Sequence, residues 1–227
     1  MIHDEQPVSA ALNGVRRIVL SCSPAEPEAL VLGHLLAEGW IASGSDVMSI
    51  SVAPRTRGGL DVFAEIDPRL IERHELLHRH QTLHGCGLRH VLDCDPSALT
   101  RVVAPARIEP TPLLRELFAR TDELAPQGGV HGVALSDGDD LLTMAIDVAR
   151  HCAVDRALGL GLRDRGDVAG LGLVSTARIS GAIALKAARA RLGWIASRSI
   201  ATSLAREIAD ACGMLLIERG GRPQQRP

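Results

Sequence analysis

The chain has no tyrosine, two phenylalanines and two tryptophans, and of its 25 basic residues only Lys186 is a lysine. So few aromatics exclude a base-stacking platform and a carbohydrate cleft. The formal net charge is −2, so the basic excess of a general nucleic-acid binder is missing. No stretch approaches the roughly 18 uninterrupted apolar residues of a membrane span. Met1 to Pro7 carry His, Asp and Glu with no apolar run, unlike a signal peptide. There is no C-x-x-C pair, so the strongest zinc spacing is absent. The five cysteines, at 22, 86, 94, 152 and 212, are odd in number and scattered, and read as reduced thiols of a cytoplasmic protein.

What is present is a foldable chain. With 227 residues and 46 % hydrophobic content, disorder is excluded. A chain of this length buries about 70 % of its surface on folding. Residues 8 to 66 read as strands around one helix. Val15–Cys22, Asp46–Val52 and Leu60–Ile66 are the strands, the last by its apolar alternation. For the helix, Ser23 is the expected cap, Pro24 the first helical residue, Glu26 the capping-box partner and Gly39 the terminator. Asp67-Pro68 starts another helix, which runs into a segment dominated by His74, His78, His80, His84, Cys86, His90 and Cys94. A proline-containing stretch from Pro96 to Pro112 follows, and we place a domain boundary within it, giving regions 1–104 and 105–227.

From Thr111 the pattern alternates. Helices are expected at Thr111 to Leu124, Arg150–Leu162, Ser180–Leu192 and Ala201–Ala211. Strands are expected at Gly129–Leu135, Leu141–Val148, Leu171–Ser175, Trp194–Ser197 and Met214–Ile217. Such alternation predicts a sheet covered by helices on both faces. Gly220 to Pro227 are polar and expected to fray.

Several constellations carry chemistry. His74/His78, His80/His84 and Cys86/His90 are each four apart, so one helix would put each pair on one face, as zinc or iron sites use. The other reading is a solvated helix ended by Gly85 and Gly87. Gly85-Cys86-Gly87 allows unusual backbone angles and close approach, and His84, Arg89 and His90 favour a thiolate there. That suits a nucleophile or sulfur carrier; an incidental surface cysteine is the alternative. Gln127-Gly-Gly-Val-His131 and Asp147 to Asp155 lie at strand ends, where α/β sheets place their sites. Asp147, Arg150, His151 and Asp155 either bind phosphate or orient a base, or form a capping and salt-bridge cluster. Ser175-Thr-Ala-Arg-Ile-Ser180 aims Arg178 and free amides at a helix N-terminus, a design for anions that Ser199 to Thr202 repeats.

In order along the chain, these stretches resemble the formate dehydrogenase accessory sulfurtransferases. Asn13-Gly14 resembles that family's early turn, and Glu28 to Ile41 its Gly-Phe-Leu…Glu-Gly-Ile helix. Gln127 to His131 is similar to its Thr-Gly-Gly-x-His loop, and Asp147 to Arg156 to its Glu-Asp-Val-Gly-Arg-His-Asn-Ala-x-Asp-Lys signature. Arg178-Ile-Ser180 with Lys186-Ala187 matches its Arg-x-Ser…Lys-Ala segment, and Ser199 to Gly213 its next helix. The resemblance implies a cytidine-deaminase-like three-layer α/β/α fold with a mixed sheet, preceded by a small N-terminal α+β region, and a homodimer. It implies transfer of persulfide sulfur from a cysteine desulfurase to the molybdenum or tungsten pterin cofactor of formate dehydrogenase or a related enzyme. Cys86 occupies the first cysteine position of the family's Cys-Gly-x-Cys-Gly loop and is the implied catalytic residue. Molybdopterin guanine dinucleotide is implied to bind at Gly128, Gly129, His131, Asp147, Arg150, His151, Arg178, Ser180, Lys186, Arg219 and Arg222.

The chain departs from the pattern at marked places. Arg89 stands where the second loop cysteine belongs, Cys152 replaces the signature Asn, and Arg156 replaces its Lys. Such changes leave a non-catalytic dimeric cofactor-binding scaffold as a second reading, and a metal module on His74–Cys94 as a third.

Overall fold

The structure, a computed structural model, describes residues 3–56, 58–77, 99–105, 107–219 and 222–223. It is a mixed α/β fold with two mixed sheets and, among the described residues, six α-helices. Strands β1 (Gln6–Leu12) and β2 (Val15–Cys22) form an antiparallel hairpin. Its turn is Asn13-Gly14, both at positive φ, which is where Asn and Gly are tolerated. The Asn13 amide also donates to the Ile66 carbonyl at 2.9 Å and accepts from the Ile66 N–H at 3.0 Å. That ties the turn to the end of β4 (Leu60–Ile66), which runs parallel to β1 and antiparallel to β3 (Val47–Pro54). The alternation expected in β4 is present: Val62, Ala64 and Ile66 are buried, and Phe63 and Glu65 are exposed.

Helix α1 is Pro27–Ala37, beginning three residues later than Ser23 and Pro24 predict. Ser23 is engaged elsewhere: its N–H faces the Asp147 carboxylate and its Oγ accepts from the Val148 N–H at 3.2 Å. Glu26 precedes the helix in a left-handed conformation, and Pro27 takes the first position. Gly39 ends the helix at φ 78°, as expected. Helix α2 (Pro68–Leu77) starts at the Asp67-Pro68 signal.

The larger sheet has the order β10-β9-β8-β7-β5-β6. Its strands are β5 (His131–Ser136), β6 (Leu141–Asp147), β7 (Gly172–Ser175), β8 (Trp194–Ser197), β9 (Leu215–Glu218) and β10 (Arg222–Pro223). β7, β8 and β9 are mutually parallel, and β5, β6 and β10 pair antiparallel with their neighbours. One face, through Ala134, Val174, Trp194, Ala196 and Ile217, packs on α3 (Pro110–Leu124). The other, through Val133, Leu135, Leu173, Ile195 and Leu216, packs on α4 (Arg150–Arg165), α5 (Gly181–Arg189) and α6 (Ser203–Cys212). Two expectations shift. β5 starts at His131 rather than Gly129, because Gly128 and Gly129 have positive φ, outside strand geometry. Arg222–Pro223, expected to fray, pairs with Glu218 and Ile217.

Helix α1 lies on α4, and the apolar core runs without a break from β1, β4 and α1 through α4 into α5. The two helices meet at Gly33 and Gly159. A β-carbon on Gly33 would overlap the Asp155 carbonyl, and one on Gly159 the Ala29 carbonyl. No helix among the described residues is long and apolar enough to cross a membrane.

Candidate functional site

Parallel strands deliver their C-terminal ends to one edge, where the following loops gather. At this edge β6 ends at Asp147, β7 at Ser175, β8 at Ser197 and β9 at Glu218, and antiparallel β5 begins at His131. Two successive turns are built alike. The Ala177 N–H donates to Ser175 Oγ and the Ser199 N–H to Ser197 Oγ, both at 3.0 Å. Ser180 caps α5 by accepting from the Ile183 N–H, and Thr202 caps α6 by accepting from the Ala205 N–H. Ile179 and Ala201 bridge the two turns. The repeat expected from sequence is therefore present, with its hydroxyls already engaged. Arg178 and Arg219, by contrast, are exposed.

His131, Arg150 and His151 come together at the same edge, all half-buried. Helix α4 has no side-chain cap, so its first amides are left for a partner at that edge. Burial and then the Arg150 guanidinium hold His131 below the usual histidine range, against the pull of Asp147. Burial, Lys186 and Arg150 lower His151 to about 4. Both imidazoles are therefore neutral at pH 7. Gly128 and Gly129 form the exposed turn leading into His131.

Two of the expected cofactor contacts face inward and are corrected here. Asp147 is 0 % exposed. It takes Arg156 Nη1, the Ser23 N–H and the Ala149 N–H, and Arg156 also donates to the Ile146 and Ser23 carbonyls at 3.0 and 2.8 Å. Burial raises its pKa against those partners. Lys186 is 2 % exposed. Its Nζ lies 2.8 and 3.0 Å from the Asp155 carboxylate oxygens and 3.0 Å from Glu38 Oε1. His34 Nδ1 shares a 2.8 Å hydrogen bond with Asp155, and Arg189 reaches Glu38 at 3.4 Å. Side chains enclosed this way cannot touch a bound molecule. They hold α1, α4 and α5 in register beneath the edge.

Sequence reasoning missed Ser23, His34 and Glu38 as members of these networks. A signal existed for the last two: His34 and Glu38 are four apart inside an otherwise apolar helix, and charged groups are rarely buried unless paired. His74, offered as a metal ligand, is buried. Its Nε2 is 3.2 Å from the Glu38 carbonyl, and its ring stacks on Trp40 at 3.5 Å. Among the described residues no group of three or more His, Cys, Asp or Glu is arranged to hold a metal. Cys86 and the His78 to Cys94 positions lie outside the described residues.

The profile of the FdhD/NarQ family matches residues 3–223. The chain belongs to the FdhD/NarQ family. It is 31 % identical over 229 residues to the sulfur carrier protein FdhD of Burkholderia cenocepacia, covering 95 % of this chain and 82 % of that protein. To the protein of the same name from Staphylococcus haemolyticus it is 30 % identical over 211 residues, covering 91 % and 79 %. The crystal structure of a Desulfotalea psychrophila protein, described as a formate dehydrogenase accessory protein, superposes with a TM-score of 0.73 at 24 % identity. That match covers 97 % of this chain and 86 % of the other, and it shows the fold. In this FdhD/NarQ member the buried Asp155 and Lys186 and the edge residues His131, Arg150 and His151 fall on motif positions that the sequence had singled out.

Proposed function

We propose that this protein is a sulfur carrier serving formate dehydrogenase or a related oxidoreductase. The observation that carries the reading is family membership across residues 3–223, with sulfur carrier proteins as relatives. Cys86, flanked by Gly85 and Gly87, is the carrier. Its thiolate attacks the outer sulfur of a cysteine desulfurase persulfide. The S–S bond breaks, the desulfurase leaves as a thiolate, and Cys86–S–SH forms with no net oxidation. That outer sulfur then passes to the molybdenum or tungsten pterin cofactor of the client, which is cargo rather than a resident group. The protein acts as a homodimer.

The sheet edge fits the phosphates of molybdopterin guanine dinucleotide. Uncapped α4 amides, Arg150, exposed Arg178 and Arg219 and the Gly128-Gly129 turn offer N–H donors and positive charge. Ser180 caps α5 at this edge, and Arg222 pairs in β10 with Glu218 of β9. The neutral imidazoles of His131 and His151 supply neither a repelling anion nor a competing cation.

Two experiments test this. Incubation with a cysteine desulfurase and cysteine is expected to add one sulfur, about 32 Da by the exchange chemistry, to the wild-type chain and none to Cys86→Ala. Equal labelling of both would reject the carrier role and leave the scaffold reading. For the edge, Arg178→Ala is expected to weaken binding of guanosine diphosphate about 5- to 30-fold, the loss expected for one charge-assisted phosphate contact of roughly 1–2 kcal/mol. A dissociation constant unchanged at low salt would remove Arg178 from the site.

A further inference from the structure

Three neighbouring strand ends at the candidate edge lead into exposed arginines. Arg178 stands three residues beyond β7, and Arg198 and Arg219 follow β8 and β9 without a gap. β7, β8 and β9 are parallel neighbours, so their ends lie about 4.8 Å apart. Among the described residues none of these three guanidiniums forms a hydrogen bond or a salt bridge. Arg156, Arg189, Arg191 and Arg206 all do. Arg198 differs from Arg178 and Arg219 in resting on a ring: its guanidinium carbon lies over Phe118 of α3, 4.4 Å from the ring centroid.

The loop that carries Arg198 is fastened on both sides. Ser197 Oγ donates to the Ala177 carbonyl at 2.8 Å and accepts from the Ser199 N–H at 3.0 Å. The Arg219 N–H donates to the Ser199 carbonyl at 3.1 Å. Phe118 is half-buried against the apolar face that includes Trp194 and Ala196. Leu117 and Thr121 of the same helix lie against Gly132, the second residue of β5, which sets Phe118 at the level of the edge. This is the face opposite α4, α5 and α6, so the ring draws the Arg198 guanidinium away from the helix N-termini that suit phosphate. A guanidinium so placed presents N–H donors in a fixed fork, which pairs with two acceptors side by side. Guanine offers that pair in O6 and N7, whereas adenine sets an amino donor beside its N7.

We propose that Arg198 selects the base of the nucleotide held at this edge, donating to O6 and N7 of guanine, and that Phe118 is its positioning residue. The proposal rests on the reading of the edge as a guanine-nucleotide site, and it adds the group that chooses the base. Phosphate lies with the α4 amides, Arg150 and Arg178, and the base lies across the strand ends toward α3. The chain has no tyrosine and two phenylalanines, so recognition falls to hydrogen bonds from a ring-backed guanidinium rather than to an aromatic stack. Adenine turns its amino group against the same donors and loses the pair.

The test is calorimetric titration of the full chain at low salt with guanosine, inosine and adenosine diphosphates, with melting temperatures as the check on folding. Inosine diphosphate keeps O6 and N7 and lacks the 2-amino group. Wild type is expected to bind the guanosine and inosine nucleotides about 5- to 150-fold more tightly than adenosine diphosphate, the worth of one bidentate arginine–guanine pair. Arg198→Ala abolishes that preference and leaves the affinity for adenosine diphosphate unchanged. Phe118→Leu narrows the preference about 2- to 5-fold, the loss of an exposed cation–π contact, again without moving adenosine diphosphate. Arg178→Ala, by contrast, weakens all three alike. A preference that survives Arg198→Ala, a loss that falls equally on guanosine and adenosine diphosphates, or inosine diphosphate bound as weakly as adenosine diphosphate would overturn the proposal. A wild-type chain that binds none of the three would instead remove the nucleotide reading of the edge, and Arg198 with it.

Discussion

Lys186→Met is expected to lose about 3–5 kcal/mol of stability, the cost of stranding buried charge when one partner of an enclosed ion pair is removed. For a domain of this size that is a fall in Tm of roughly 6–20 °C. The ammonium sits among Asp155 and Glu38, both less than a tenth exposed. Without it two carboxylates lose their main counter-ion in a region water does not reach. Because the penalty comes from orphaned charge, adding Asp155→Asn and Glu38→Gln to Lys186→Met recovers part of the loss. Lys186→Arg keeps the charge but forces a wider planar group into a site where one nitrogen meets three oxygens, at a cost of about 1–3 kcal/mol. A Lys186→Met protein that melts within a degree of wild type would show that the cluster contributes nothing.

The same cluster sets an acid limit. Burial alone would raise the Glu38 carboxyl, but Lys186, His34 and Arg189 outweigh it and hold it at about 2. Its folded pKa therefore lies below its ordinary value of 4.5. Such a group contributes stability that is present above 4.5 and is lost as the pH falls toward 2. Lys186 is displaced upward: burial opposes its charge, and Asp155 and Glu38 prevail. Its contribution is present at neutral pH and is lost only in strong alkali. In Glu38→Gln, denaturant midpoints measured between pH 5 and pH 2.5 should fall less steeply than in wild type. Parallel curves would refute the assignment.

Gly33→Ala is expected to be at least comparably damaging. The added methyl group overlaps the Asp155 carbonyl, and backbone cannot step aside as a side chain can. Overpacking of a close contact typically costs about 1–3 kcal/mol and more where backbone must move. Here the two helices must separate along their whole contact, and we expect loss of at least about 3 kcal/mol, or no soluble protein. Gly39→Ala is the control. Gly39 has φ 78° with open space where an added methyl group would sit, so its cost is the left-handed backbone alone, about 1 kcal/mol. Equal urea midpoints for the two variants would mean that the helices do not meet as described.

Gly33 also shows where sequence reading stopped. A glycine inside an apolar helix looks like a tolerated weakness, and Gly159 inside α4 looks the same. Only their meeting in space gives each a reason. Asp147 and Lys186 illustrate a similar step. Their motif positions were legible, and the resemblance assigned both to the cofactor, but a motif does not say which way a side chain faces. Ser23 makes the point locally. Its capping pattern was sound on propensity, yet a carboxylate more than a hundred residues away took its N–H, and the helix started three residues later.

Most helices and strands, and the strand ends that carry the motifs, were legible in the sequence; β1 and β10 were not. These follow from short-range physics: the alternation of β4, the helix start at Asp67-Pro68 and the helix stop at Gly39 depend on neighbours a few residues apart. Its ordered motifs also carried the family. Only folding showed which charged residues are sealed inside and that two glycines let α1 and α4 touch. Each of those depends on residues far apart in the chain, brought together only when the apolar faces of two sheets and their helices close over one core.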